Sequence, residues 1–235
     1  TGGRACSVAW SVVDRPTHYI PLDADKRTAV TLTAAIADVM AKSRHEGVSI
    51  DVVAVNVGPG SFTGLRIGVT TAKTLAYALK CRVVAVDGLA CAAGVAFSQN
   101  AQVGSACIAL NAYRQQFFVA KWQRDNWQRA FVDNSHAAAD EVWAAARFRD
   151  LLATTTNDSD VQIAADPAVM RHLQDVDSDD GNVNTISPRV LLPLEITAAD
   201  VAAFAWRLAQ YDHFTSPMSC NSNYLRDSAA EEKLR

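Results

Sequence analysis

An α/β fold is predicted by three observations. Apolar, β-branched runs stand at Ile50–Val57 and Arg82–Gly88. Each is followed by a stretch with helical spacing, and the first junction is rich in glycine, "GPGSFTGLRIG" at Gly58–Gly68. Strands that alternate with helices point to βαβ units, a parallel sheet and a right-handed crossover.

The elements follow in order. "RACSVAWSVV" (Arg4–Val13) alternates, "DRPT" turns, and "HYIPL" resumes an extended arm, so a β-hairpin opens the chain. A helix follows, with Asp23 or Asp25 as cap, Leu32, Ile36, Val39 and Met40 as its large stripe and Gly47 as its stop. A second stripe of Ala34, Ala37 and Ala41 faces either solvent or a close-packed neighbour. The strand Ile50–Val57 and the glycine loop lead to a helix from about Thr63 to Lys80. Leu65, Val69, Ala72, Ala76 and Leu79 form one of its faces, and Thr70, Thr71, Thr74 and Ala78 another. The strand Arg82–Gly88 and a short helix close the first region.

A second region holds strands at "GSACIAL" and "RQQFFVAKWQR", with "DNWQRAFV" read as the third strand of a meander. "ADEVWAAARFRDLLA" reads as one helix, "VQIAAD" as a strand, and "PAVMRHLQDV" as a helix with Pro167 at its first position. "DSDDGNVNTISP" reads as a polar loop. The last helix, "TAADVAAFAWRLAQY", carries a capping box with Thr197 and Asp200. The domain boundaries expected are 1–97, 98–211 and a tail at 212–235 that returns to the first region and whose end is disordered.

Composition narrows function. The 235 residues can bury a core, and 49% hydrophobic with 20% charged residues is ordinary for a globular chain. A net charge of −3 argues against gripping nucleic acid alone, so any RNA contact is shared with a partner. Cys6, Cys81, Cys91, Cys107 and Cys220 form no C-x-x-C pair, which predicts free thiols in a reduced compartment. No apolar run approaches the ~18 residues of a membrane span and no signal segment is visible, so a cytoplasmic location is expected.

The glycine loop fails the nucleotide fingerprints. Walker spacing is off by one residue in either reading, and Leu65 follows Gly64 where lysine is required. The G-x-G-x-x-G pattern fails because Gly64 comes one residue late, and "GSFTG" puts Phe62 where a nucleophile elbow needs serine. Two readings stay open: a stiff strand-to-helix corner, or an anion contact at the helix N-terminus through Gly58, Gly60, Ser61, Thr63, Gly64 and Arg66. Arg66 opposes the helix dipole there, so it is either solvated or paired with an acid or a ligand. No two of His18, His45, His136, His172 and His213 lie three or four residues apart, so no helical metal pair exists. "DVDSDD" has its glycine one position late for a calcium loop and reads as a solvated loop. Ser61 has no evident base and no framed carboxylate pair appears, so no catalytic residue is assigned.

"GPGSFTGLRIG", "TTAKTLAYAL" and "VVAVDGLACAA" together resemble the TsaB (YeaZ) family, as do "GRACSVAW" and the late "NYLR" at Asn223–Arg226. The resemblance is strong over residues 1–95, weak through the second region, and returns at the tail. It implies an actin-like, RNase H-like (ASKHA) fold of two α/β lobes. It also implies a non-enzymatic subunit that binds the catalytic TsaD subunit. With the TsaE ATPase, that assembly threonylcarbamoylates adenosine 37 of tRNAs reading ANN codons. ATP and metal are then expected on the partner subunits, with no cofactor in this one. A homodimer is expected where the partner is missing, with tRNA met only inside the complex and no membrane contact.

The partner-binding helices implied are about 26–44 and 63–80, with interface residues Ala34, Ala37, Ala41, Gly68, Thr71, Ala72, Leu75 and Ala76. TsaD carries an H-x-x-x-H metal motif after its glycine segment; no histidine stands here between His45 and His136. The second phosphate loop of actin-like ATPases needs glycines, and "QIAADPA" has none. Departures are Asn111, Ala112 and Tyr113 where the family often has D-A-R, and Arg27 and Thr28 where it often has His-Ser. The family's first strand would precede Thr1, so an open position is expected beside the Arg4–Val13 strand. The alternatives are an actin-like ATPase or metallopeptidase-like enzyme of the same superfamily, or a stand-alone nucleotide-binding module built on the Gly58 loop.

Overall fold

The computed structural model describes residues 6–23, 25–26, 28–133, 140–155, 160–179 and 191–225, with the side chains of 175–179 left aside. Its elements in chain order are β1 (Ser7–Trp10), β2 (His18–Pro21), α1 (Thr28–Glu46), β3 (Val52–Gly58), α2 (Phe62–Leu79), β4 (Arg82–Asp87), α3 (Gly88–Gln99), β5 (Ser105–Asn111), β6 (Gln116–Gln123), α4 (Arg124–Asp133), β7 (Glu141–Ala144), α5 (Ala145–Thr155), β8 (Val161–Ala165), α6 (Pro167–Asp179), β9 (Leu191–Pro193) and α7 (Ala198–Gln210).

The chain divides into two compact units, Thr1–Cys91 with Ile196–Tyr224, and Ala92–Glu195 with Leu225–Arg235. This corrects the expected boundaries of 1–97 and 98–211. The division falls inside α3, and α7 belongs to the first unit. The reason lies in α7's apolar face: Val201, Phe204, Ala205 and Leu208 pack with Val84, Val86 and Cys91. Thr197 and Asp200 form the predicted capping box, and the Ala198 N–H donates to Ser7 Oγ at 2.9 Å.

In the first unit β1 and β2 form an antiparallel pair, and β3 and β4 a parallel pair joined by α2. The strands of the second pair use both faces. Val53, Val55, Val57, Val83 and Ala85 meet α2, whereas Val52, Ala54, Val84 and Val86 meet α7. That two-sided burial explains why both strands read as continuous apolar runs. Among the described residues β1 pairs with β2 alone.

The second unit is built on a mixed sheet in the order β7-β6-β5-β8-β9. Phe117 of β6 and Phe148 of α5 meet edge to face at 5.6 Å in its core, beside Ile163, Val169 and Leu173. Three expectations fail here. "DNWQRAFV" is the helix α4, because Trp127 and Phe131 recur one turn apart and stack edge to face at 4.9 Å. "ADEVWAAARFRDLLA" divides into β7 and α5, since Trp143 is buried on the sheet beside Phe117 and the chain turns helical only at Ala145. Asp175–Asp179 continue α6; the rest of the stretch read as a calcium-like loop lies outside the described residues, as do Arg4, Arg27, His136 and the tail end from Arg226. β9 carries no alternation and its three residues end in Pro193, so periodicity could not reveal it.

Among the described residues no helix is long and apolar enough to cross a membrane, and no cluster of three potential metal ligands exists. The five cysteines form no disulfide with one another. Cys91, Cys107 and Cys220 are buried; burial pushes the Cys107 thiol up to about 12, and it raises the Cys91 thiol as well. A raised thiol pKa favours the folded state below the unfolded value of 9.0, and that contribution is lost as pH rises through the folded value. Stability should therefore fall between pH 9 and about 12 in alkaline unfolding curves, an effect that Cys107→Ala removes in part. Ellman titration of the native protein at pH 8 should leave Cys91 and Cys107 unreacted until denaturant is added; immediate reaction of every thiol would contradict the packing.

Candidate partner-binding helices and glycine loop

The glycine loop is a corner where several backbones converge. β3 ends at Gly58, whose N–H donates to Asn56 Oδ1 at 2.9 Å. The Gly58–Pro59 peptide is cis, and Gly58 has φ +130, a conformation that L side chains rarely adopt. A Cβ placed there would run into the carbonyl oxygen of Asn223. Gly88, the first residue of α3, is tight but less so: its Cβ would lie 3.0 Å from Asn56 Oδ1 and from the Gly58 carbonyl oxygen. Bare backbone at both glycines is what lets the tail, the loop and α3 meet.

From this corner α2 starts. Ser61 is its N-cap, with Oγ accepting the Gly64 N–H at 3.4 Å, and the Leu65 N–H donates to the Ser61 carbonyl at 2.8 Å. The helix therefore begins at Phe62, one residue before the predicted Thr63. Lys80 takes the left-handed position that ends it, with its N–H donating to the Ala76 carbonyl.

Among the described residues Arg66 pairs with aromatic side chains and with no acid. Its Nε donates to Tyr224 Oη at 3.3 Å, and its guanidinium lies 3.9 Å from the centroid of the Phe62 ring. Phe62 and Tyr224 rings are 4.9 Å apart. The tail is held further by the Asn223 N–H on the Val57 carbonyl at 2.7 Å, by Thr215 on Val83 at 2.8 Å, and by buried Cys220 beside Val69 and Ala76. Phe62, Asn56, Gly88, Asn223 and Tyr224 were thus missed as parts of this corner. The "NYLR" segment was the one signal in the sequence, and nothing local could tie it to a loop more than 150 residues away.

The predicted site residues separate into three sets. Gly58 and Gly64 are buried in the corner, Gly60 and Ser61 are half-buried, and Thr63 and Arg66 are exposed. Ala34, Ala37 and Ala41 lie exposed on the outer face of α1, one face with Val30, which is 64% exposed. Gly68, Ala72 and Ala76 are buried, with Ala72 and Ala76 packed among Val55, Val69 and Val83. These three cannot meet a partner in the folded chain, which corrects their placement at an interface. Thr71 and Leu75 are half-buried and line a partly open cavity. The outer face of α2 is instead Thr70, Thr74 and Tyr77, and Tyr77 is 85% exposed. An apolar-looking stripe of small residues fits a helix on a sheet as well as a helix on a helix, so spacing alone could not separate the two.

A family model described as "TsaD: tRNA N6-adenosine threonylcarbamoyltransferase" matches residues 14–167, well over half of the chain. The chain belongs to the family that this model describes, and the TsaB and YeaZ likenesses below point to its TsaB/YeaZ members. Proteins named tRNA threonylcarbamoyladenosine biosynthesis protein TsaB match it from Escherichia coli (30% identical, 53% of each chain) and Haemophilus influenzae (28%, 56% of this chain and 55% of that one). A third, from Buchnera aphidicola, is 27% identical over 46% of this chain and 48% of its own. The chain thus spans about half the length of the curated relatives it matches. Two solved structures from Pseudomonas aeruginosa cover 96% of both chains at 21% identity: YeaZ, with a TM-score of 0.62, and an uncharacterized protein with similarity to peptidase YeaZ, with a TM-score of 0.65. These likenesses show the fold, an actin-like, RNase H-like α/β fold.

The two strained glycines give a graded test. Gly47 also sits at positive φ, +64, but with open space around its Cβ position. Gly47→Ala should cost about 1 kcal/mol, the conformational penalty alone. Gly58→Ala adds a backbone collision and should cost at least about 2 kcal/mol more by urea unfolding. Equal losses would show that the tail does not press on Gly58.

Proposed function

We propose that this chain is a non-catalytic docking subunit of a tRNA threonylcarbamoyladenosine-forming assembly, and that it binds a TsaD-like subunit through the outer faces of α1 and α2. The observation that carries the reading is the pair of exposed helical seams. Val30, Ala34, Ala37 and Ala41 repeat at intervals of four, three and four residues on α1, and Thr70, Thr74 and Tyr77 at four and three on α2. Such spacing presents small or flat side chains along one line, and small side chains let a partner helix approach closely. Exposed Tyr77 supplies an aromatic anchor of the kind that dominates interfaces.

The substrate of the assembly is adenosine 37 of tRNAs reading ANN codons, with tRNA held jointly because this chain is mildly acidic overall. A TsaE-like ATPase completes the assembly, and nucleotide and metal belong to the partner subunits. The glycine loop serves as the corner that aims α2. Ser61 Oγ and the Arg66 guanidinium are already engaged within the chain, which favours this use over nucleotide binding.

The test is a binding titration with the TsaD-like subunit of the same organism. Ala37→Glu should weaken the complex by more than about tenfold while the melting temperature moves by less than about 2 °C, as for an exposed substitution. Ala72→Glu should instead unfold the chain, because it buries a charge among valines. Undiminished affinity of folded Ala37→Glu would remove α1 from the interface.

A further inference from the structure

Among the described residues, two large apolar side chains stand further into solvent than any other: Tyr77 of α2 and Met218 of the returning tail, each 85% exposed. They are far apart in sequence, yet the tail brings both to one helix. Lys73, one turn before Tyr77, donates from Nζ to the Met218 carbonyl at 3.4 Å.

The turn that carries Met218 is fastened at both ends. Before it, the Thr215 N–H donates to the Val83 carbonyl at 2.8 Å. After it, buried Cys220 packs in the cluster of Val69, Ala76 and Val83. Within it, Ser216 gathers the backbone: its carbonyl accepts the N–H groups of Ser219 and Cys220 at 3.0 Å each, and its Oγ accepts that of Met218 at 3.3 Å. The main chain is thus ordered before any partner arrives, which lowers the entropy lost on binding. Methionine is a residue type usually found buried, and its flexible thioether adapts to irregular partner surfaces. A turn that only returned the chain to the glycine corner would need no such side chain at its apex.

The position of the turn selects the partner. At 3.6 residues per turn, residues four apart differ by about 40° around a helix axis. Lys73 therefore stands about 40° from Tyr77, and the tail turn borders the seam of Thr70, Thr74 and Tyr77 on its Tyr77 side. A helix with its side chains is about 10–12 Å wide, so one seated along that seam overhangs it by about 5–6 Å on each flank. That overhang covers the turn.

We propose that the tail turn Thr215–Cys220 is part of the surface that takes the TsaD-like subunit, with Met218 filling an apolar pocket of that partner beside Tyr77. The inference rests on the docking reading given above. Oxidation by dilute hydrogen peroxide, read by mass spectrometry, tests it without altering the chain. In the free chain Met218 should oxidise faster than the half-buried Met40 and Met170. In the complex with the TsaD-like subunit, its oxidation should slow by more than about tenfold. Met218→Glu should weaken the complex by more than about tenfold while the melting temperature moves by less than about 2 °C, and Met218→Leu should keep affinity within about threefold. Unchanged oxidation of Met218 in a complex that Ala37→Glu weakens would overturn this inference and leave docking through α1 and α2 standing. So would undiminished affinity of folded Met218→Glu. Failure of any complex to form would overturn both.

Discussion

The meeting of Gly58, Gly88, Asn56 and Asn223 is the constraint on which the first unit depends. There the end of β3, the start of α3 and the returning tail come close together: a Cβ at Gly58 would collide with the Asn223 carbonyl oxygen, and one at Gly88 would press on Asn56 and Gly58. The Asn223 N–H on the Val57 carbonyl and the Asn56 carboxamide on the Gly58 N–H fix the end of the strand. Ser61 then caps α2, so the helix leaves the sheet from a fully determined point. Phe62, Arg66 and Tyr224 close the outside of the same corner. A loop fixed in this way serves orientation. Its glycines are present because backbones cross there, and a glycine-rich strand-to-helix junction need not cradle a phosphate to require them.

The orientation of α2 divides its two faces between different tasks. Inward, Val69, Ala72 and Ala76 build the core against β3 and β4. Outward, Thr70, Thr74 and Tyr77 remain unburied. α1 divides in the same way, with Leu32, Ala35 and Val39 inside and Val30, Ala34, Ala37 and Ala41 outside. α7 packs against both strand pairs.

Much of this was legible in the sequence. The apolar runs of β3 and β4, the periodicity of α1 and α2 and the capping box at Thr197 each carried a local signal, and local signals were read correctly. The errors arose where one pattern has two solutions. Trp127 and Phe131 fit a short strand or one helical turn, and tertiary packing chose the helix. Ala72 and Ala76 fit a sheet contact or a helix contact, and the β3–β4 pair took them. The placement of α7 in the first unit, and the closing of the corner by Tyr224, depend on contacts across more than a hundred residues, which no window of sequence contains. Lys80 ends α2 in the left-handed conformation without the glycine that normally announces such a stop.

The central claim is that the outer faces of α1 and α2 are the docking surface and that the glycine corner only aims them. Hydrogen exchange of the complex with a TsaD-like subunit tests this most directly. Binding should slow exchange by more than about tenfold within Thr28–Glu46 and Phe62–Leu79, and leave the β5–β6 turn at Tyr113–Gln115 unchanged. Protection confined to the second unit, with α1 and α2 exchanging as in the free chain, would contradict the account.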